Sequence, residues 1–307
     1  MRSLRRRSFL GLAVGACAAS AVHAAGAAGP AGATALLGPA PARLKKSLKI
    51  GMVGLEGSLE QKFRALLELG FDGVELDSPS DLEPEEVLAA KAATGIEIPG
   101  VVDSVHWSST LGDADAEVRA RGRAGLETAL RDCHRFGGTT VLLVPAVVNA
   151  AISYDQAYRN SQAEIREVLP LARELDVKIA FENVWNNFLL SPLEAARYVD
   201  EFESDRVGWY MDVGNVVRYG WPEQWIRVLG PRVLKLDVKE YSREKQMAEG
   251  PWKGFGVKLG DGDCNWPAVM EALGEIGYEG WASAEVGGGD RERLLEISER
   301  MDRILVR

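Results

Sequence analysis

Eight short apolar runs alternate with amphipathic segments across about 250 residues, which predicts a single (β/α)8 TIM barrel. Two further observations agree. Capping residues stand at the ends of the amphipathic segments. No glycine-rich nucleotide fingerprint follows the first apolar run, where Gly54 leads into Leu55-Glu56-Gly57, and this counts against a doubly wound open sheet.

The first strand is expected in LKIGMVG (48–54), followed by the helix pattern LEQKFRALLELG, which Gly70 closes. GVELDSP (73–79) is the second strand, and PEEVLAAKAATG is a helix that ends at Gly95. IEIPGVVDSV (96–105) precedes the long pattern DAEVRARGRAGLETALRDCHRFGG, closed by Gly137. TTVLLVPAV (139–147) and YDQAYRNSQAEIREVLPLARELD make the fourth pair. KIAFENV (178–184) is followed by SPLEAARYVDEF, which Ser191-Pro192 opens. VGWYMDV (207–213) pairs with PEQWIRVLG, and VLKLDVK (233–239) with WPAVMEALGEIG, opened by Asn265 with Pro267 and closed at Gly277. GWASAEV (280–286) and DRERLLEISERMDRIL complete the eightfold set.

The seventh run, in VLKLDVKEY (233–241), is apolar through Val233, Leu234, Leu236 and Val238, yet one of its faces collects Lys235, Asp237 and Lys239. On a solvated edge such a ladder would simply meet water. In a barrel it faces inward near the C-terminal rim, where catalytic groups of this architecture sit. Other strand ends carry similar groups: Glu75 on the second, His106 after the third, Glu182 on the fifth, Asp212 on the sixth and Glu285 on the eighth. Glu182, Asp212, Asp237 and Glu285 thus recur at one level on four consecutive strands. Converging carboxylates repel one another and resist desolvation, and a divalent cation resolves both problems. The all-oxygen set suits Mn²⁺ first, with Mg²⁺ or Co²⁺ as alternatives, better than Zn²⁺.

Composition narrows the function classes. MRSLRRRSFL places Arg6-Arg7 before Ser8-Phe9-Leu10, a twin-arginine export pattern, and Val22-His23-Ala24 is a small-residue cleavage site. The expected organisation is therefore a signal peptide at 1–24, a flexible leader at 25–46 rich in Ala, Gly and Pro, and a barrel at 47–307. The expected location is the periplasm or another exported compartment. Val14-Gly15-Ala16-Cys17 also fits a lipoprotein cleavage box, so a lipid anchor on Cys17 is the alternative; the apolar run is too short and glycine-rich for a membrane span. Losing Arg2, Arg5, Arg6 and Arg7 with the signal moves the formal charge from −9 to −13. Such an acidic surface argues against nucleic acid. Cys133 and Cys264 remain, either paired or as free thiols, with two histidines, His106 and His134. The sequence sets no oligomeric state.

The stretches AFENVWNNFLLSP, YMDVGN, LKLDVKEY, GDGDCNWPAVMEALGEIGYEG and WASAEV resemble the sugar isomerase/epimerase family with a xylose-isomerase-like barrel, over about residues 48 to 305. That family includes ketose epimerases and hydroxypyruvate isomerases. The resemblance implies that Glu182, Asp212, Asp237 and Glu285 bind the metal, with Glu182 and Glu285 doubling as the acid/base pair. It also implies a small sugar or keto-sugar substrate. The chain departs from the family at the third ligand: a His-x-Lys-Asp signature is replaced by Asp237-Val238-Lys239-Glu240. A second frequent histidine is replaced by Asn215.

Around this set, Lys239 is a candidate for stabilising developing negative charge, and His106 for binding a hydroxyl or shuttling a proton. Glu75, Asn183 and Asn215 are candidates for substrate hydroxyls. Trp107 and Trp185, with Trp252, are candidates for stacking on a sugar ring. Asn186 shares the reading of Asn183. Lys235 is expected to be structural, and His134 to lie outside the barrel. Because sugar phosphates are largely cytoplasmic, export favours a neutral substrate. Isomerase or epimerase chemistry leads; a lyase or hydratase of keto-glycosides and a non-catalytic sugar-binding barrel are the alternatives.

Overall fold

The computed structural model describes residues 44–306. The twin-arginine segment, Cys17 and positions 25–43 of the expected leader lie outside the described residues.

Among the described residues, eight parallel strands form one sheet in the order β1-β8-β7-β6-β5-β4-β3-β2. They are β1 (Lys45–Leu48), β2 (Leu76–Ser78), β3 (Gly100–Asp103), β4 (Thr140–Leu143), β5 (Lys178–Glu182), β6 (Val207–Asp212), β7 (Val233–Val238) and β8 (Trp281–Ala284). A parallel bridge between Lys49 and Glu75 closes the seam between β1 and β2, through Ile50 N–H to Glu75 O and Glu75 N–H to Leu48 O. The expected barrel is therefore the observed one. The first strand lies earlier than LKIGMVG suggested: it takes Lys45 and Lys46 from the expected leader, and Ile50–Met52 is a 3-10 turn.

Among the described residues ten α-helices surround the sheet: α1 (Leu59–Glu68), α2 (Pro84–Thr94), α3 (Ala116–Phe136), α4 (Tyr154–Glu174), α5 (Pro192–Asp200), α6 (Val213–Val217), α7 (Pro222–Leu229), α8 (Arg243–Glu249), α9 (Trp266–Glu275) and α10 (Arg291–Ile304). Several expected ends hold for the expected reason. The Ser191 side chain accepts the Glu194 N–H, and Gly95 and Gly137 close their helices in the left-handed region that glycine enters freely. Asn265 differs: it stands before α9 with φ of 53° and makes no side-chain cap. The additional α6 follows directly on β6, and α8 comes shortly after β7, the two site-bearing strands.

Side-chain alternation places the main core between sheet and helices, where Phe181, Trp209, Met211, Leu236 and Val238 are fully buried. The opposite face of the same strands points into the barrel. There a small apolar group, Leu142, Ala180 and Tyr210, shares space with buried Ser47, Lys235, Asp237 and Ser283. The interior is polar enough that it has to be organised by charge pairing.

Candidate active site

At the C-terminal end of the barrel a cavity of about 810 Å³ opens, within the range of about 300–1,000 Å³ usual for small-molecule sites. Glu182 and Asp212 end β5 and β6, Asp237 lies beside Asp212 in the β6–β7 register, and Glu285 follows β8 by one residue. One oxygen from each of these four carboxylates lies within 4.8 Å of the others. That span is on the order of twice a metal–oxygen bond of about 2.0–2.6 Å. Asp212 Oδ2, Glu285 Oε2 and both oxygens of Asp237 are buried without a hydrogen-bond partner among the described residues. Lys239 Nζ sits 2.8 Å from Asp212 Oδ2 and 3.2 Å from Glu285 Oε2, and Lys49 Nζ sits 2.9 Å from Asp237 Oδ1. Buried oxygen donors converging in this way fit a hard divalent cation.

The electrostatics follow from burial. Burial, reinforced by Glu285 and Asp237, pushes the Glu182 carboxyl well above its ordinary value. Burial also raises Asp237 well above its usual range, with Lys49 opposing and Glu285 adding to it. Asp212 rises through burial against the pull of Lys239. Glu285 is the exception: burial raises it, but Lys239 and Lys49 outweigh that and hold it low. Burial works against charge on Lys239 as well, and Asp212 with Glu285 reverse it, so its ammonium is strongly favoured.

The cavity wall combines polar and aromatic groups. His106 is buried, and its Nδ1 accepts the Val144 N–H at 3.3 Å, which assigns a proton to Nε2 in the neutral ring. Burial lowers its pKa to about 4, so the ring is neutral near pH 7. Trp107 stands edge-on to it, 5.5 Å between centroids, and is 54% exposed at the cavity mouth. Opposite chemistry comes from the Pro251–Phe255 turn after α8: Trp185 packs against Trp252 at 4.7 Å and Phe255 at 4.9 Å, and all three line the cavity. Trp185 is fixed by its Nε1–H donating to Asn215 O at 3.0 Å. Asn215 lines the cavity and donates from Nδ2 to Asn183 O at 3.0 Å and to Glu182 Oε1 at 3.4 Å.

Two expected substrate contacts are placed elsewhere. Glu75 lies below the cavity, accepting from Lys235 Nζ and Lys49 Nζ at 2.7 Å each and from the Tyr210 hydroxyl at 2.8 Å. Burial alone would raise its pKa, but Lys235 and Lys49 hold it well below the usual range. Asn183 is saturated by protein: Nδ2–H donates to Asp212 O, while Oδ1 accepts from Asp212 N–H and Trp209 Nε1–H. It positions Asp212 rather than a hydroxyl. Asn186 likewise bridges Ala146 O and Phe188 N–H. Lys235 is structural as expected. His134 contacts Leu175 O on the outer shell, and Cys133 and Cys264 are buried free thiols. Glu240, next to Lys239, accepts from Gly260, Cys264 and Tyr241 N–H groups and from Trp266 Nε1–H, which fixes the GDGDC loop.

Sequence reasoning missed several residues of this cavity, Lys49, Asp103 and Phe255 among them. Lys49 stood at the start of an expected strand and in fact follows β1 by one residue, in the bridge to Glu75. Asp103 closes β3, is buried, and lines the cavity with a carboxyl pushed by burial to about 7 against the pull of the Val105 N–H. Phe255 lay in a segment with no strand or helix pattern. A lysine inside an apolar run was the available signal for the first; an aspartate ending such a run was the signal for the second.

Comparison with known proteins agrees with the fold. The L-ribulose-5-phosphate 3-epimerase UlaE of Escherichia coli O1:K1 / APEC is 25% identical over 248 residues, covering 77% of this chain and 83% of the relative. Among solved structures, the 3-keto-D-glucoside 4-epimerase YcjR from E. coli, in its apo form, superposes with a TM-score of 0.71 at 18% identity, covering 85% of this chain and 99% of that one. A D-tagatose 3-epimerase-like protein gives 0.72 at 19% identity, covering 85% and 97%. The xylose isomerase-like TIM barrel family matches residues 63–304. With that match spanning most of the chain, and the same barrel observed, the protein belongs to the xylose isomerase-like TIM barrel family.

Proposed function

We propose that this protein is a divalent-metal-dependent epimerase or isomerase of a non-phosphorylated sugar or keto-sugar, exported through its twin-arginine segment. The cluster of Glu182, Asp212, Asp237 and Glu285 on the cavity floor carries this reading, and the sugar epimerases among its relatives support it. Those four residues would hold the cation, with Mn²⁺ the first choice and Mg²⁺ or Co²⁺ alternatives for an all-oxygen set. When bound, such an ion polarises a substrate carbonyl and acidifies the neighbouring C–H. Of Glu182 and Glu285, one takes the proton from the carbon beside the carbonyl. The other returns a proton to the opposite face, or to the next carbon in an isomerase. The Lys239 ammonium stabilises negative charge developing on substrate oxygen, and His106 offers its Nε2–H to a hydroxyl.

The wall favours a neutral substrate. Lys49 and Lys239 are the lysines and arginines that line the cavity among the described residues, and both are at ion-pair distance from carboxylates. With Lys49 turned to Glu75 and Asp237 and Lys239 to the reacting centre, no cavity cation among the described residues is set apart for a phosphate, whereas Trp185, Trp252 and Phe255 suit the apolar face of a sugar. A second reading, a lyase or hydratase of keto-glycosides, shares the proton abstraction. The exposed Trp107 and Trp252 at the mouth favour it, because they leave room for an aglycone.

The test incubates Mn²⁺-loaded protein in heavy water with ketoses, keto-glycosides and their phosphates, read by mass spectrometry. Deuterium in an intact neutral sugar, abolished by Glu182→Gln, is the expected result. Loss of an aglycone or water selects the lyase. A preference for phosphates contradicts the neutral-substrate assignment. Full activity in excess chelator removes the metal, and weak metal binding with no turnover points to a binding barrel.

A further inference from the structure

Lys49 is attached to the carboxylate cluster in a way the reaction itself does not require. Its Nζ lies 2.7 Å from Glu75 Oε2, 3.2 Å from the Tyr210 hydroxyl and 2.9 Å from Asp237 Oδ1. Glu75 and the Tyr210 hydroxyl accept hydrogen bonds from this ammonium, and the Asp237 carboxylate faces it at ion-pair distance. Although Lys49 touches the cavity, its charge is turned toward Glu75 and Asp237. Glu75 is in turn held by Lys235 Nζ at 2.7 Å on its other oxygen. A line of alternating charge therefore runs up the barrel interior: Lys235, Glu75, Lys49, Asp237. At its upper end only Asp237 Oδ1 faces Lys49. The Asp237 carboxyl is fully buried and faces Glu285 as well.

We infer that Lys49 is a positioning residue of the metal centre, and that it forms a charge-matched pair with Asp237. This rests on the metal reading given above. With all four ionised around a cation, Glu182, Asp212, Asp237 and Glu285 would bring four negative charges, while Lys49 and Lys239 bring two positive ones. The remainder is the charge that one divalent cation cancels. Glu75 and Lys235 neutralise each other below. A neutral side chain at 237 with Lys49 still present leaves only one net negative charge to attract the ion. Removing both charges together returns the centre to its original balance. In a poorly hydrated site such charges interact more strongly than in water. An aspartate as third ligand is therefore compatible with this centre because Lys49 accompanies it, and Lys49 is tolerated beside a cation site because Asp237 faces it.

The prediction is compensation, which a merely structural role would not produce. Mn²⁺ affinity is measured by isothermal titration calorimetry on the full chain for wild type, Lys49→Met, Asp237→Asn and the double variant. Circular dichroism confirms that each is folded. Asp237→Asn is expected to bind at least tenfold more weakly than wild type. The double variant is expected to regain at least tenfold over Asp237→Asn, even though it lacks one more native contact. If Lys49→Met does not fold, Lys49→Gln removes the charge while keeping donors for Glu75, and the same cycle is read with it. A double variant that binds no more tightly than Asp237→Asn overturns the pairing while leaving the metal site standing. Absence of Mn²⁺ binding by wild type overturns the metal reading and the pairing together.

Discussion

Glu75 shows what a single side chain does inside this barrel. Its carboxylate is the common acceptor for Lys49, Lys235 and Tyr210, all buried. Glu75→Gln removes the charge and leaves two buried ammonium groups undercompensated. A loss of about 3–5 kcal/mol is expected, as for other broken buried ion pairs, read from the urea midpoint of the purified chain. Asp103 gives a prediction of opposite character. Its carboxyl is near 3.8 when unfolded and about 7 in the fold, so between those pH values the folded state binds the extra proton. Its contribution is complete below about pH 4 and is lost as pH rises through 7. Asp103→Asn keeps an acceptor for the Val105 N–H without that ionisation, so its melting temperature should exceed wild type at pH 8 and approach it at pH 5. Equal gains at both values would remove Asp103 as the cause. The proposed acid/base pair behaves differently again: Glu182→Gln or Glu285→Gln should lower turnover by at least about 10²-fold with the circular dichroism spectrum unchanged. The four cluster carboxylates were legible because carboxylates ending apolar runs have few other reasons to be there. Glu75 and Asn183 carry the same signal but are consumed by protein partners. Only the depth of each strand in the barrel separates the two outcomes.

Elements were legible where their signals are local. Glycine at helix ends, serine and proline at helix starts, and the alternation itself depend on a few neighbouring residues, and the structure reproduces them at Gly95, Gly137 and Ser191. Strand limits depend on distant partners. Val144, Ala146 and Val213 stay buried beyond the ends of β4 and β6 because the helical shell covers them, so the apolar run exceeds the strand. The shift of β1 is the same effect at the barrel seam, and it concealed Lys49. Short α6 was hidden because Asp212 ends β6 and also caps it, its Oδ1 accepting the Asn215 N–H at 2.7 Å. The segment after β7 had no clear period, yet α8 and the following turn build the aromatic wall. Trp252→Ala should therefore raise KM for a neutral sugar substrate several-fold with kcat nearly constant, measured by steady-state kinetics. A fall in kcat with KM unchanged would move Trp252 from substrate binding to the reacting centre.

For the whole molecule, the proposed cation would join four strands that the sequence separates by more than a hundred residues. Glu182 to Glu285 spans β5 to β8, so relief of their mutual repulsion should be felt by half the barrel. Burial makes Asp212 and Asp237 reluctant to ionise, and metal-free protein retains that penalty in its folded state. A cation that binds only the folded chain removes it. At a hundred times its dissociation constant it stabilises by about 2.7 kcal/mol. For a domain of this size each kcal/mol shifts the melting temperature by about 2–4 °C. Mn²⁺ at that excess should thus raise the melting temperature by about 5–11 °C over chelated protein, observed by scanning fluorimetry. Asp212→Asn should lose most of the increment, because it removes one donor charge from the cluster. An equal Mn²⁺ increment in wild type and Asp212→Asn would mean that the ion binds elsewhere on this acidic chain. That outcome would separate the general attraction of a protein with a formal charge of −9 from the specific convergence of four strand ends.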